Sequence, residues 1–263
     1  MIKQHFLVFF ALLGAALIIL ISCSKDKGNQ SNARLVSSID IYYHNVVEQR
    51  LDVQYDEQKR IVRLTNTDAL GYDDFSSTTT ISYPSANIMF ITDSYNSQTY
   101  TCTLNNDGYI VSLTEGGNEV ESLAYTNGYL QKKMMYRSDD DGITLHAGTY
   151  TETYTWNNGN VKIIERECNY PTAPELNWSY TSTYEYSAVQ NKLSSIDLSR
   201  NSFQPLGWYG KPDLNLMSKI TDENPWDEDV RTYRYETDQD GYVTNIFVRY
   251  NGGSEELMAT IQY

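Results

Sequence analysis

From residue 35 onward, apolar and polar residues alternate over short runs, and each run breaks on Asn, Asp or Gly. Alternation of period two marks strands with one buried face, and helical periodicity is nearly absent. The runs predict about seventeen strands, at 35–43, 49–55, 60–65, 77–83, 86–93, 98–104, 109–115, 118–125, 129–137, 148–156, 161–169, 178–186, 192–198, 215–221, 229–237, 242–250 and 255–263. The strands are expected to pair with their sequence neighbours, so the chain reads as all-β, a long up-and-down antiparallel meander of hairpins. Strand twist and unpaired edges disfavour a flat sheet of that width. A barrel or half-barrel is the expected outcome.

The hairpins share a grammar. Tyr55-Asp56-Glu57-Gln58-Lys59-Arg60-Ile61-Val62-Arg63-Leu64-Thr65 aligns without a gap on Leu104-Asn105-Asn106-Asp107-Gly108-Tyr109-Ile110-Val111-Ser112-Leu113-Thr114. Looser copies begin at Tyr125, Trp156, Tyr186 and Tyr235. Each unit is an aromatic-rich strand, a turn whose Asn-Gly or Asp-Gly tolerates positive φ, and a strand that restarts on an aliphatic residue. The largest break is Ser199–Asp213, with smaller ones at Pro171–Asn177 and Asn224-Pro225-Trp226. Function tends to sit where a repeated scaffold is interrupted. Trp178, Phe203, Trp208, Tyr209 and Trp226 are therefore the candidate ligand surface for a sugar or peptide. The competing reading is that these rings plug an open barrel end as a small core.

The N-terminus reads as an address. A basic start, Met1-Ile2-Lys3-Gln4-His5, precedes an apolar run from Phe6 to Ile21, too short for a spanning helix, and the chain turns polar after Cys23. Leu20, Ser22 and Cys23 at the end of that run resemble a bacterial lipobox. The resemblance implies cleavage before Cys23 and acylation of its thiol. The expected organisation is residues 1–22 as lipoprotein signal peptide, 23–34 as acylated flexible tether and 35–263 as a single β-meander domain. Ser24 is not the Asp that retains enteric-type lipoproteins at the inner membrane, which favours the outer membrane on either its periplasmic or its cell-surface face.

Composition narrows the functional classes. The net charge of −14 argues against nucleic acid as a partner. Cys102 and Cys168 form either a disulfide or two buried free thiols, and neither has a neighbour at zinc-ligand spacing. Asp139-Asp140-Asp141-Gly142 and Asp238-Gln239-Asp240-Gly241 lack the remaining ligands of a calcium loop and read as hairpin tips. His44 and His146 have no nucleophile frame around them. No metal or other cofactor is expected, and no catalytic residue stands out.

Two resemblances extend the reading. Tyr55-Asp56 followed by Arg60-Ile61 and Thr65 resembles the tyrosine-aspartate repeat of bacterial shell proteins, with Lys59 where that pattern has glycine. The lipobox, the repeated hairpins and the late insert Phe203–Lys211 together resemble a gut-bacterial, Bacteroidota-type lipoprotein family of unknown function with a porin-like β fold. That resemblance implies a fold and no activity. Units such as Arg231-Thr232-Tyr233-Arg234-Tyr235-Glu236 would place charge at mid-membrane, so a soluble barrel is expected rather than a spanning one. The expected role is a non-enzymatic binding or scaffolding lipoprotein of the cell envelope, held to the membrane by the lipid on Cys23, with a glycan or envelope protein as partner. The alternative is a glycan-acting hydrolase using a carboxylate pair.

Overall fold

Asp56, Asn105 and Asp238 each organise the same turn. The Asp56 Oδ1 accepts hydrogen bonds from the amides of Gln58 and Arg60, both at 2.9 Å. Asn105 does the same for Asp107 and Tyr109 at 3.0 Å, and Asp238 for Asp240 and Tyr242 at 2.9 Å. The fourth residue of each turn is left-handed, with φ of 62° at Lys59, 84° at Gly108 and 79° at Gly241. Glycine adopts that region freely, whereas Lys59 is strained there.

The computed structural model describes residues 34–69, 76–94, 97–140, 145–193, 196–197, 204–205, 207–223 and 228–263. Residues 1–33, which hold the expected signal peptide, Cys23 and nearly all of the expected tether, lie outside them. Leu35–Tyr263 is one compact unit. Its strands are β1 (Ser38–Tyr43), β2 (Val46–Tyr55), β3 (Ile61–Asp68), β4 (Ser77–Ser85), β5 (Ile88–Asp93), β6 (Thr99–Leu104), β7 (Ile110–Glu115), β8 (Asn118–Thr126) and β9 (Tyr129–Asp140). They continue as β10 (Leu145–Asn157), β11 (Asn160–Asn169), β12 (Trp178–Gln190), β13 (Ile196–Asp197), β14 (Gln204–Pro205), β15 (Asn215–Glu223), β16 (Glu228–Thr237), β17 (Val243–Tyr250) and β18 (Glu255–Gln262).

All but β13 and β14 form a closed antiparallel barrel, in which β12 pairs with β15 and β1 joins β18 to β2. The meander is therefore closed rather than a half-barrel, and sixteen of the described strands line it. The strand expected over 192–198 is not a barrel strand. Among its described residues, Ile196 and Asp197 pair with Gln204 and Pro205 in a separate two-stranded sheet. The chain leaves the wall at Asn191, whose Oδ1 accepts the Leu193 amide and whose own amide bonds to Leu214 O.

The repeated grammar has a structural cause. Just past the restart aliphatic, the ladder shifts by one residue in the β2–β3, β6–β7, β8–β9, β10–β11, β12–β15 and β16–β17 pairs. Such bulges bend a strand and re-aim its side chains. Inward positions after these turns are consequently three apart: Ile61 and Leu64, Ile110 and Leu113, Leu130 and Lys133, Val161 and Ile164, Met217 and Ile220, Val243 and Ile246. The aromatic that closes the incoming strand then reaches across to a carbonyl at the same end. Tyr55 donates to Val36 O, Tyr83 to Ile61 O, Tyr125 to Ile110 O, Trp156 to Leu130 O, Tyr235 to Met217 O and Tyr263 to Val243 O, at 2.6–3.1 Å. All but the bond to Val36 O satisfy a carbonyl where a bulge disturbs the ladder, for about 1 kcal/mol apiece.

These turns lie at one end of the barrel, where the chain also enters at Val36 and leaves at Tyr263. Inward residues near that end form a single apolar core that includes Ile39, Met89, Ile110, Leu130, Val161, Ile220 and Ile246. The outer wall is polar even at mid-strand. Arg234 pairs there with Glu255 and Glu236 at 2.9 and 3.0 Å, Arg50 with Asp52 and Asp40, and Lys219 with Glu185. Exposed Lys162, Glu165 and Glu167 alternate with buried or half-buried Val161, Ile164, Arg166 and Cys168. A lipid-spanning barrel needs the opposite arrangement, with an apolar band outside.

Candidate functional site

A belt of charged and hydroxyl side chains crosses the inner wall beyond the apolar core, supplied by β8 to β12, β15 and β16. Register sets it. Glu152 on β10 faces Lys133 on β9 and Arg166 on β11, while Ser182 on β12 faces Asp222 on β15. Glu152 accepts from Tyr150 at 2.9 Å, from Tyr154 at 2.6 Å and from Arg166 Nε at 2.9 Å. Arg166 also donates to Ser182 and lies over the Tyr180 ring at 5.1 Å. Ser182 donates to Asp222, which is bound from its other side by Arg231. Arg231 in turn lies 3.4 Å from Asp229. Charge-assisted bonds of this kind are strong where water is excluded.

The belt has two unlike halves. Burial alone would raise the Glu152 carboxyl, but the hydroxyls of Tyr154 and Tyr150 and the charges of Lys133 and Arg166 outweigh it, and the group stays below its ordinary value. Glu121, on β8, is the reverse case: burial raises its carboxyl and Lys133 only partly offsets this. The Glu121–Lys133 pair is 3.4 Å apart, both side chains are about nine-tenths buried, and Glu121 Oε1 has no hydrogen-bond partner. Lys133 Nζ lies 5.5 Å from the centroid of the Tyr209 ring. Burial also pushes the nearby Cys102 thiol up to about 12, which leaves it unreactive.

Tyr209 lies in residues 207–214, which lead into β15 and cap the core end of the barrel. Trp208 O accepts the Ile110 amide at 2.8 Å, the Lys211 amide donates to Gly128 O at 2.7 Å, and the Leu214 amide donates to Gly159 O at 3.1 Å. Asp213, 3 % exposed, accepts the Val161 amide at 2.7 Å. Gly210 passes so close to the β8–β9 turn that a Cβ there would stand 2.8 Å from Gly128 O, and its φ is 93°. Trp208 packs on the core.

The aromatic residues expected to form one exposed ligand surface are not gathered together. Trp208 and Tyr209 lie in the cap. Trp178 opens β12 at the opposite end, stacked on Tyr180 with centroids 5.6 Å apart, beside a small cluster of Cys168, Tyr170, Ala173 and Leu176. Topology separates them: β11 starts at the cap and ends where Trp178 begins. Phe203 and Trp226 lie outside the described residues. Cys102 and Cys168 are free and buried in different clusters, so the disulfide is not formed. One Asp238 oxygen is engaged by its own turn amides, while Asp141 and Gly142 of the other acidic turn lie outside the described residues.

The chain is similar to a porin-like protein from Bacteroides uniformis, at 19 % identity and a TM-score of 0.62, covering 86 % of this chain and 98 % of that one. A porin-like protein from Bacteroides vulgatus aligns at 16 % identity and a TM-score of 0.54, covering 87 % and 98 %. The fold is porin-like. No protein-family model matches the sequence, and no curated protein matches it. Here the porin-like wall is closed over a side-chain core and capped at one end, with charge on its outer face.

Sequence reasoning missed Glu121, Lys133, Glu152, Arg166, Asp222 and Arg231, because in isolation each is an ordinary charge on an alternating strand. The signal was in the repeats. The restart-plus-three position carries Leu64, Leu113, Ile164, Ile220 and Ile246, but Lys133 in the β8–β9 unit.

Proposed function

We propose that the protein is a lipid-anchored lipoprotein of the cell envelope that binds or scaffolds without transforming its ligand. The observation that carries this reading is the polarity of the barrel. Its charged outer wall and buried apolar core suit water, so attachment to a membrane must come from elsewhere, and the lipobox ending at Cys23 supplies it. Several acyl chains on one residue give stable attachment at about 0.8 kcal/mol per buried CH₂. The tether 23–34 reaches at most about 40 Å when fully extended. The porin-like Bacteroides neighbours support an envelope setting, and outer-membrane sorting follows from Ser24.

The interior carboxylates favour binding over hydrolysis. Glu121, Glu152 and Asp222 are each bound to a cation, namely Lys133, Arg166 and Arg231. A hydrolase of the glycosidase kind needs two carboxyls facing one bond, with one held protonated. Cell fractionation and metabolic labelling with a palmitate analogue test the anchor. Wild type is expected to label and sediment with membranes, and Cys23→Ala to do neither. Membrane retention of an unlabelled Cys23→Ala would overturn it.

A further inference from the structure

We infer that residues 207–211 form a strap that lifts off the capped end by itself, pivoting at Pro212, and that the Glu121–Lys133 pair beneath it sets how readily it lifts. The motion goes beyond the binding reading above and does not depend on it. The first observation is that the two halves of the cap are unequally attached. Asp213, Leu214 and Asn215 are tied from both sides. Asp213 accepts the Val161 amide, Asn191 bonds to both Asp213 O and Leu214 O, and Asn160 bonds twice to Asn215. Among the described residues, 207–211 make two backbone bonds to the barrel, from Ile110 to Trp208 O and from Lys211 to Gly128 O. Their other holds are the Trp208 and Tyr209 rings against the core and the Lys211 ammonium over Tyr129. Between the halves, Pro212 has no amide to donate. At the far end Gly207 is left-handed, φ 93°, with nothing within 4 Å of the place a Cβ would take.

The second observation is what the strap covers. The Lys133 ammonium lies 5.5 Å from the centroid of the Tyr209 ring and 3.4 Å from Glu121. Equivalent repeats put Leu64, Leu113, Ile164, Ile220 and Ile246 at the lysine's position, so the charge is peculiar to this unit. Glu121 Oε1 is buried without a hydrogen-bond partner. A dry, unpaired acceptor is costly, and water can reach it only when the ring above has moved. The closed strap carries that cost and the lifted strap does not. Local opening is thereby favoured over one that waits for the whole barrel to unfold. Lifting uncovers the charged pair and the core face under Trp208 while the wall of the barrel stays closed.

The test is native-state hydrogen exchange of Leu35–Tyr263, read amide by amide by NMR. The Ile110 and Lys211 amides, which bond to or from the strap, are expected to exchange together and at least about tenfold faster than those of Val161 and Leu214, which hold the other half. Their exchange should be nearly independent of urea below the unfolding transition, because lifting exposes little surface. Glu121→Leu/Lys133→Leu removes the unpaired acceptor and should slow both amides by at least about tenfold. Exchange of Ile110 and Lys211 as slow as Val161 and Leu214, or rising as steeply with urea as wall amides do, overturns the strap, and this arm needs no variant to fold. Fast exchange that the double variant leaves unchanged overturns the role of the pair.

Discussion

The capped end of the barrel and the belt beyond it solve the same problem in opposite ways. At the capped end, residues such as Ile39, Met89, Ile110 and Ile246 are fully buried and make no polar demands. The few carbonyls freed by the bulges are met by Tyr and Trp donors drawn from the same repeats. In the belt, Glu152, Arg166, Ser182, Asp222 and Arg231 demand partners and supply them to one another across five strands. The first region is tolerant in composition, and any aliphatic residue of suitable volume serves it. The second is intolerant, because removing one member strands the others. The Glu121–Lys133 pair belongs to neither pattern, being buried like the core, charged like the belt and incompletely partnered.

Breaking the belt should cost most. Arg166→Met leaves Glu152 without its arginine and Ser182 without its charged donor and should destabilise by about 3–5 kcal/mol, read by urea unfolding. A loss below about 1 kcal/mol would make the belt no better than a surface pair. Trp208→Ala opens the cap over the core and should cost about 3 kcal/mol. An unchanged melting temperature would show that the ring is not part of the core.

The belt should also respond to acid where the core does not. The Glu152 carboxyl is held below its ordinary value of 4.5, so it contributes stability above that pH and loses it as the pH falls through the folded-state value. Glu152→Gln should be less stable than wild type at neutral pH, with the gap narrowing below pH 4.5. A gap independent of pH would mean that the carboxylate charge is not what the tyrosines and arginine hold. The smallest effect is expected at the turns. Lys59→Gly relieves a left-handed lysine, φ 62°, and should stabilise by about 0.5–1 kcal/mol. Destabilisation would place the lysine in an interaction outweighing its strain.

Much of the barrel was legible in the sequence because it is written locally. Period-two alternation, Asn and Asp turns and restart aliphatics specify strands and hairpins one at a time, and closure at the β1–β18 seam and the β12–β15 pairing across the crossing segment are the long-range events. The crossing segment was legible as an interruption but not as a cap, since nothing local says that Trp208 meets Ile110 or that Asp213 meets Val161. Residues 192–198 alternate as a strand does, yet Asn191 turns the chain off the wall. The belt was invisible for a different reason. Inward and outward charges look alike until the bulges fix which parity faces in, and Lys133 stands out only when the repeats are aligned on their restart residue.

The central claim is that this porin-like barrel is wet outside and filled within, and its behaviour toward lipid tests that most directly. Leu35–Tyr263, prepared without detergent, should run as one monodisperse species in size-exclusion chromatography. It should stay with the soluble fraction when floated with phosphatidylethanolamine and phosphatidylglycerol vesicles. A barrel that aggregates until detergent is added, or floats with the vesicles, would contradict the account.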